Sequence, residues 1–531
     1  MDIGTISIIL LVAMLVLLAM GMPLGLASGF LAFGVLYLKF GPDLLFRSFG
    51  TGPLNILAQR LYGVMTSYVL ISVPLFILMA TLLERSGIAR DMYSSLNMWL
   101  SRTRGGIAIV TALMAIVMAA MSGIIGGEVV LLGLIALPQM LRLGYNQNLA
   151  IGTICASGSL GTMIPPSIVL IFYGLITETS IHALFKAAFV PGFILGGLYI
   201  VYIIFRTRLH PEQAPLPEPS DDDIPFENKV KAFVTFVGWL AAIWGAGGLL
   251  HAIVIEVQNA LGFLKPGHYA PYSTTQMIVF AAMAAIGLFG ARLAFGRAIV
   301  SNAWAMSKGL IAPLMVVFVV LGSIYGGVTG ITEAAGMGTV AVLVLIILRG
   351  EFSLRLVREA LMRTFRSTGT IIWVTFGATA LAGAYTIAGG PTYVANLIVG
   401  SELPTIGILL LMMIIFLFLG AFMDWVGIVL LVMPVFLPIV LRLPVEELGV
   451  LAPLAEDPRF VAVWFGILFC VNMQVSFLSP PFGPAAFYLK SVAPEHITLP
   501  DIFRGFLPFI AIQIFVLALI LFFPELTMFF R

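Results

Sequence analysis

Long stretches of the sequence contain no charged residue and are almost continuously apolar. Three such runs are Leu143–Thr177, Ser367–Ser401 and Phe460–Leu489. A membrane-spanning helix needs about 20 apolar residues, and these runs lack the period-two alternation of an outer-membrane barrel. The pattern therefore predicts an all-α polytopic membrane protein. We place crossings near residues 3–20, 24–38, 62–83, 187–205, 232–256, 275–294, 309–325, 332–348, 368–388 and 506–523.

Two apolar regions, residues 105–141 and 405–441, are about one and a half times as long as a crossing and are interrupted at their middle. This pattern is typical of a re-entrant hairpin, in which two half-helices enter and leave on the same face of the membrane. The interrupting residues are Ser122, Gly126, Gly127 and Glu128 in the first hairpin, and Gly420 and Asp424 in the second.

Each predicted hairpin is followed by an apolar run, residues 147–178 and 460–490, that contains a Pro-Pro pair. Adjacent prolines remove backbone donors and stop a helix. Backbone freed in this way is tolerated at membrane depth only where protein or a polar cavity meets it. Both runs are therefore predicted to be broken helices that line a site. The candidate residues are Ser159, Gly161, Thr162, Pro165, Pro166 and Ser167 in the first, and Ser476, Ser479, Pro480, Pro481 and Gly483 in the second.

The two broken helices belong to an internal repeat. The same 315-residue spacing separates the two Pro-Pro pairs, the two cysteines (Cys155 and Cys470), and the Phe-Tyr pairs that begin at Phe172 and Phe487. Residues 349–366 carry five Arg and two Glu, and we predict an amphipathic helix on the cytoplasmic surface there. When successive crossings are assigned alternating directions starting from this segment, most Lys and Arg lie on the cytoplasmic side, as the positive-inside rule requires. In this topology the second repeat has the opposite orientation to the first.

The predicted organisation is thus an inverted-topology repeat with two re-entrant hairpins and two broken helices, an architecture found in many secondary transporters. Residues 1–205 form the first repeat and residues 301–531 the second. Residues 206–300 hold a Pro-rich cytoplasmic linker and an extra helix pair.

Composition narrows the class of protein further. The chain has 531 residues, of which 60% are hydrophobic and 10% charged, against about 25% charged in soluble domains. This composition excludes a soluble enzyme and a disordered protein. The net charge of +2 is too small to indicate a basic nucleic-acid-binding surface. Two cysteines in apolar runs exclude a disulfide scaffold and a Cys-ligated cluster, and five scattered His argue against a metal enzyme.

The breaks also suggest what is bound. Half-helix N-termini offer N–H groups to an anion, and unwound carbonyls and hydroxyls offer oxygen ligands to Na⁺. Glu128 and Asp424 are acids at membrane depth, where an ionised group is costly unless paired. They either help to bind the coupling ion or cap the half-helix that follows. No ATP-binding motif occurs, so we predict Na⁺ coupling through the residues named above, with Na⁺ as coupling ion and no cofactor.

Three motifs identify a resemblance to a known family. They are Gly158-Ser-Leu-Gly-Thr-Met-Ile-Pro-Pro-Ser167, Gly326-Gly-Val-Thr-Gly-Ile-Thr-Glu-Ala-Ala335 and Leu478-Ser-Pro-Pro-Phe-Gly483. The chain resembles the large membrane subunit of the tripartite ATP-independent periplasmic (TRAP) transporters. The resemblance implies an elevator-type, ion-transporter-like fold in the bacterial inner membrane, importing an organic acid anion of the carboxylate class, such as a dicarboxylate, by symport. It also implies two protein partners, a periplasmic substrate-binding protein and a small four-helix membrane subunit.

Three alternatives stay open at this point. A stand-alone sodium/anion symporter of similar fold would not need a binding protein. An intramembrane enzyme would need an acidic or His cluster at the interface, whereas the acidic cluster Asp221–Asp223 lies in the Pro-rich linker. An ion channel would not need paired hairpins.

Overall fold

The computed structural model describes residues 1–42, 52–123, 126–218, 224–260, 272–400, 403–421, 423–444, 454, 458–481 and 483–529. This part of the chain is helical and contains no strand, which confirms the predicted all-α class. Eight of its helices are long and apolar enough to cross a membrane. The acidic cluster Asp221–Asp223 and Phe482 of the third motif lie outside the described residues.

The helices are numbered in chain order. In the first half, α1 to α10 are Ile3–Ala19, Leu24–Phe40, Pro53–Met65, Ser72–Arg85, Ile88–Leu100, Gly106–Ser122, Gly127–Arg142, Gln147–Gly158, Ile168–Thr177 and Ile181–Leu209. The central helices α11 to α13 are Phe226–Ala260, Thr274–Ala285 and Ala291–Tyr325. The remaining helices, α14 to α21, are Ile331–Leu348, Leu354–Ile387, Gly390–Val399, Thr405–Gly420, Trp425–Val440, Pro458–Leu478, Pro484–Lys490 and Leu499–Phe522.

Several predicted elements differ from the structure in their limits. The crossing placed at 62–83 begins later, at Tyr68, because α3 ends at Met65 and the extended backbone at Ser67 separates it from the next helical turn. The surface helix predicted at 349–366 and the crossing at 368–388 are one helix, α15, of 34 residues. α15 is polar in its first part and apolar in its second, but it contains no proline that would end the helix between the two parts.

Ion pairs hold the polar part of α15 against the end of α4. Arg85 pairs with Glu359, which is also 3.0 Å from Arg355. Just beyond α4, the Gly87 N–H donates to Glu351 at 3.1 Å. These contacts give the polar turns of α15 partners in the protein, so the helix can continue without lying flat on the membrane surface.

The larger compact unit comprises residues 1–90, 104–216 and 312–531. Within it, α1, α2 and α15 share one hydrophobic cluster, and a Cβ atom on Gly377 of α15 would overlap the backbone of Gly25 on α2. The first broken helix packs on α21 equally closely, since a Cβ atom on Gly152 would overlap the Gly505 carbonyl oxygen. Small residues at such crossings let helices approach in a membrane. Close helix crossings at glycine therefore occur both beside the first broken helix and between α2 and α15.

The smaller compact unit comprises residues 91–103 and 217–311 and contains the predicted extra helix pair. Trp99 lies edge-on to Phe233 with ring centroids 5.9 Å apart. The Lys229 ammonium group donates to the Ser101 hydroxyl at 2.8 Å. The repeat boundaries proposed from the sequence stay a prediction.

Candidate functional site

The first hairpin ends in a glycine turn that meets the break in the first broken helix. α6 ends at Ser122, and Gly123 has left-handed angles of φ 59° and ψ 12°, which glycine adopts without steric cost. The Gly123 carbonyl oxygen accepts a hydrogen bond from the Ile168 N–H at 3.4 Å. A Cβ atom at Gly123 would overlap the Pro166 carbonyl oxygen. The turn and the break therefore fit together only with glycine at this position.

Glu128 lies in the first turn of α7 and is 1% exposed. Its Oε1 accepts a hydrogen bond from the Ser122 hydroxyl, and its Oε2 has no partner among the described residues. Glu128 therefore bonds across the turn rather than capping the N–H groups of α7. A buried carboxylate with one free oxygen is costly unless a cation or a proton joins it.

An ion pair from two other helices lies against the same hairpin tip. Arg363 Nη1 and Glu84 Oε2 are 2.6 Å apart. Both groups border Gly127, because a Cβ atom there would overlap Glu84 Oε1 and lie 3.2 Å from Arg363 Nη2. The Glu84 carboxylate is close enough to repel that of Glu128. Since Glu84 and Arg363 neutralise each other, the pair supplies no net positive charge to the Glu128 side chain.

The three candidate hydroxyls of the first broken helix donate to nearby backbone carbonyls. Ser159 donates to Ala156 at 2.7 Å, Thr162 to Ser159 at 2.9 Å, and Ser167 to Thr162 at 2.5 Å. Each oxygen retains a lone pair that can still face an ion. Ser159, however, also accepts from Gln513 of α21 at 3.4 Å, so its hydroxyl is directed away from the hairpin tip.

The second broken helix and the second hairpin meet in the same manner. A Cβ atom at Gly420, the last residue of α17, would overlap the Ser476 side chain. The Ser476 hydroxyl donates to the Asn472 carbonyl at 3.1 Å, and that of Ser479 to Val475 at 2.7 Å. Each predicted broken helix therefore contacts the tip of the hairpin that precedes it.

Asp424 occupies the N-cap position of α18 with extended backbone angles, φ −69° and ψ 153°. Its carboxylate lies near the Trp425 and Val426 N–H groups, but no cap hydrogen bond is aligned. Its side chain reaches solvent although protein surrounds it at longer range, which describes a group in a recess. Asp424 and Glu128 thus share a sequence pattern but differ in exposure and in helix position.

Each hairpin tip also contacts the broken helix of the opposite repeat. The Tyr488 ring lies against Gly126, where a Cβ atom would be 2.8 Å from the ring carbon Cζ. Phe172 packs edge-on against Trp425 with ring centroids 5.9 Å apart. The four segments therefore converge on one region, although the two sides of that region differ.

The equivalent positions of the two repeats differ in burial. On the side of the first broken helix this region is closed by packing, and Pro165, Pro166, Phe172 and Tyr173 form its buried half. The second supplies an exposed half, formed by Pro480, Pro481, Phe487 and Tyr488. Gly161 and Gly483 are buried at the two breaks.

The sequence does not predict contacts at the hairpin tips for four residues that the structure places there: Glu84, Arg363, Trp425 and Tyr488. Glu84 and Arg363 lie near helix ends rich in charge, and nothing in the sequence pairs them with a hairpin. Tyr488 lies at the position equivalent to Tyr173. This match indicates a duplication, but it does not predict that Tyr488 is exposed.

Comparison with known proteins gives three findings. The DctM component of the tripartite ATP-independent periplasmic transporter family matches residues 11–526. The chain is 25% identical to the C4-dicarboxylate TRAP transporter large permease protein DctM of Pseudomonas aeruginosa over 90% of each chain. It is also 25% identical to the ectoine TRAP transporter large permease protein TeaC of Halomonas elongata over 98% of each chain.

Among solved structures, the YdaH transporter of Alcanivorax borkumensis matches with a TM-score of 0.50 and 14% identity. The match covers 94% of this chain and 97% of that one. At this identity the likeness concerns the fold alone.

Proposed function

The chain belongs to the TRAP transporter family as its DctM component, the large permease, and from this we propose that it imports an organic acid anion together with Na⁺. It is a multi-pass permease of the bacterial inner membrane and not an enzyme. The coupling ion, the substrate class and the elevator movement are the proposed part.

The observation that carries Na⁺ coupling is the carboxylate of Glu128. It is buried at the first hairpin tip; among the described residues one of its oxygens has no partner, and the cation beside the tip, Arg363, is paired with Glu84. A small cation is the partner that such a group lacks. The backbone carbonyls at the adjacent break, beside Gly123 and Pro166, are further oxygen ligands of the kind a hard cation prefers.

An anionic substrate is supported by the direction of the half-helices. α7, α9 and α18 all begin at the site, so their N-termini bring partial positive charge and free N–H groups to it. We propose a carboxylate as the transported group and a dicarboxylate as the first compound to test. The two relatives named above are equally similar to this chain, at 25% identity, but one is named for a C4-dicarboxylate and the other for ectoine. Similarity alone therefore does not identify the substrate.

The elevator movement is supported by two packed groups of helices that meet at the second hairpin. The first broken helix packs on α21, and α1, α2 and α15 share a different cluster. The helix α18 of the second hairpin packs on α15, so the two groups are in contact there. We propose that the first group slides along the second, past the ion pair of Glu84 and Arg363. A disulfide introduced between positions 84 and 127 should then stop uptake until it is reduced.

The partners are those of the family, a periplasmic substrate-binding protein and a small membrane subunit. The test is uptake into proteoliposomes that contain both membrane subunits, with the binding protein added outside. Labelled succinate, fumarate, isethionate and sialic acid are the probes. We expect uptake of at least one probe under an imposed Na⁺ gradient and none when the binding protein is omitted.

Each arm of this experiment has a contrary result. Full uptake driven by a proton gradient without Na⁺ would refute Na⁺ coupling. Uptake that does not need the binding protein would favour a stand-alone symporter. Failure of every probe with the complete wild-type complex would refute the anion class.

A further inference from the structure

One side chain of the exposed half joins three of the four segments that form the site. Tyr488 lies on α20, the second part of the second broken helix. Its ring borders Gly126 of the first hairpin tip, and it packs on Phe477 with ring centroids 6.2 Å apart. Its phenol is also near enough to Asp424 of the second hairpin tip to interact electrostatically.

Tyr488 is directed into the recess rather than into the protein. It is 41% exposed, whereas Ala485, Ala486 and Leu489 of the same helix are fully buried. Among the described residues, none is hydrogen-bonded to its hydroxyl. A phenol hydroxyl usually finds a partner when it is not in bulk water, so this one is available to a ligand.

The surroundings of Tyr488 indicate water and solute rather than lipid. Pro480 and Pro481, which interrupt the second broken helix, are exposed, and so is the carboxylate of Asp424. Neither a broken helix nor a carboxylate is stable against hydrocarbon. The exposed half therefore lines a polar recess that a transported solute can enter.

The equivalent residue of the first repeat has none of these properties. Tyr173 is fully buried, its hydroxyl donates to the Ala462 carbonyl at 2.7 Å, and its ring stacks on Phe469 at 6.2 Å. The same residue type is thus used for packing in one repeat and left unbonded in the other. Packing needs alone do not explain an exposed tyrosine at position 488.

We propose that Tyr488 contacts the transported anion and that its hydroxyl donates a hydrogen bond to the anionic group. The ring would at the same time cover the apolar carbon atoms of the solute. Gly126 is then a positioning residue: its φ of 99° favours glycine, and the absence of a side chain there leaves room for the ring. This inference rests on the proposed function.

The experiment compares Tyr488→Phe with Tyr173→Phe, which is the same change at the equivalent position of the other repeat. Uptake is measured in the proteoliposome assay, with the probe that the wild-type complex carries best. A hydrogen bond to a charged group is worth enough to raise the KM for the probe roughly tenfold in Tyr488→Phe. The maximal rate and the Na⁺ requirement should stay near wild type. Tyr173→Phe should lower the melting temperature and leave the KM unchanged.

A second variant checks the positioning of the ring. Gly126→Ala should lower the melting temperature in both backgrounds, because alanine is strained at the φ of 99° found there, but it should raise the KM only when Tyr488 is present and not in a Tyr488→Ala background. A Tyr488→Phe KM within twofold of wild type, or equal increases in both Tyr→Phe variants, would overturn the proposal. Wild-type complex that carries no probe would instead refute the proposed function, so the two failures are distinguishable.

Discussion

Replacing Glu128 by Gln should raise the Na⁺ requirement of transport without preventing folding. Gln has the shape of Glu, and its amide oxygen can still accept the hydrogen bond from Ser122. The substitution therefore removes the charge and keeps the packing. Its main effect should fall on whatever cation the free oxygen of Glu128 attracts.

The magnitude follows from burial. A carboxylate at membrane depth costs about 2.5–3.5 kcal/mol, and Glu128 is 1% exposed with one oxygen unpaired. Two unit charges 4 Å apart attract by about 4 kcal/mol at an effective dielectric constant of 20, part of which offsets desolvation of the ion. A net loss of about 1.4 to 2.8 kcal/mol corresponds to a roughly tenfold to hundredfold higher Na⁺ concentration for half-maximal uptake.

Asp424→Asn is the informative comparison. Asp424 reaches water, so its charge is hydrated in the absence of a cation, and an exposed pair contributes about 0.2–1 kcal/mol. We expect a shift of less than about fivefold for this variant. Glu212→Gln, with a carboxylate 70% exposed in the linker, is a control that should show no shift.

The assay is initial uptake by the complete complex as a function of Na⁺, with choline replacing Na⁺ to keep ionic strength constant. Thermal unfolding of each purified complex checks that the variants are folded. A Glu128→Gln complex whose half-maximal Na⁺ lies within twofold of wild type would refute the ion role and indicate that Glu128 is already protonated. A larger shift in Asp424→Asn than in Glu128→Gln would refute the argument from burial.

Two further predictions concern the first hairpin tip. Gly123→Ala should destabilise the protein by about 2 kcal/mol or more, because alanine is strained at positive φ and its Cβ would overlap a Pro166 backbone oxygen that cannot rotate away; an unchanged melting temperature would contradict the packing described. Glu84→Gln should free Arg363 to neutralise Glu128 and raise the Na⁺ requirement roughly threefold; adding Arg363→Gln should reverse the increase, and its persistence in the double variant would exclude this explanation.

Much of the architecture could be predicted because its causes are local. Glycine, proline and isolated charges interrupt apolar runs for steric and solvation reasons that do not depend on the rest of the chain. The helices of the two hairpin regions accordingly run from Gly106 to Arg142 and from Thr405 to Val440, close to the limits of the apolar runs. α15 was mispredicted because its polar and apolar parts were treated as separate elements. Only its ion pairs to α4, Glu359 with Arg85 and Arg363 with Glu84, explain why it continues, and these partners are remote in sequence.

The site could be predicted only in outline. The sequence predicts oxygen ligands at residues such as Ser159 and Thr162, but a hydroxyl in a helix can also donate to its own backbone, and the sequence does not show which partner it takes. Glu128 and Asp424 looked equivalent because their neighbours along the chain are alike. Their different exposure comes from tertiary neighbours such as Glu84, which no local pattern reveals. Their roles as ion or substrate ligands stay predictions.

The unequal burial of the two halves has a consequence for how this protein can evolve. In the buried half, Phe172 and Tyr173 are enclosed on all sides, so a replacement must conserve volume or disturb the core. In the exposed half, Phe487 and Tyr488 can exchange polar for apolar groups without repacking their neighbours. Substitutions are therefore restricted by volume at Phe172 and Tyr173 and far less restricted at Phe487 and Tyr488, although both pairs occupy the same place in their repeats.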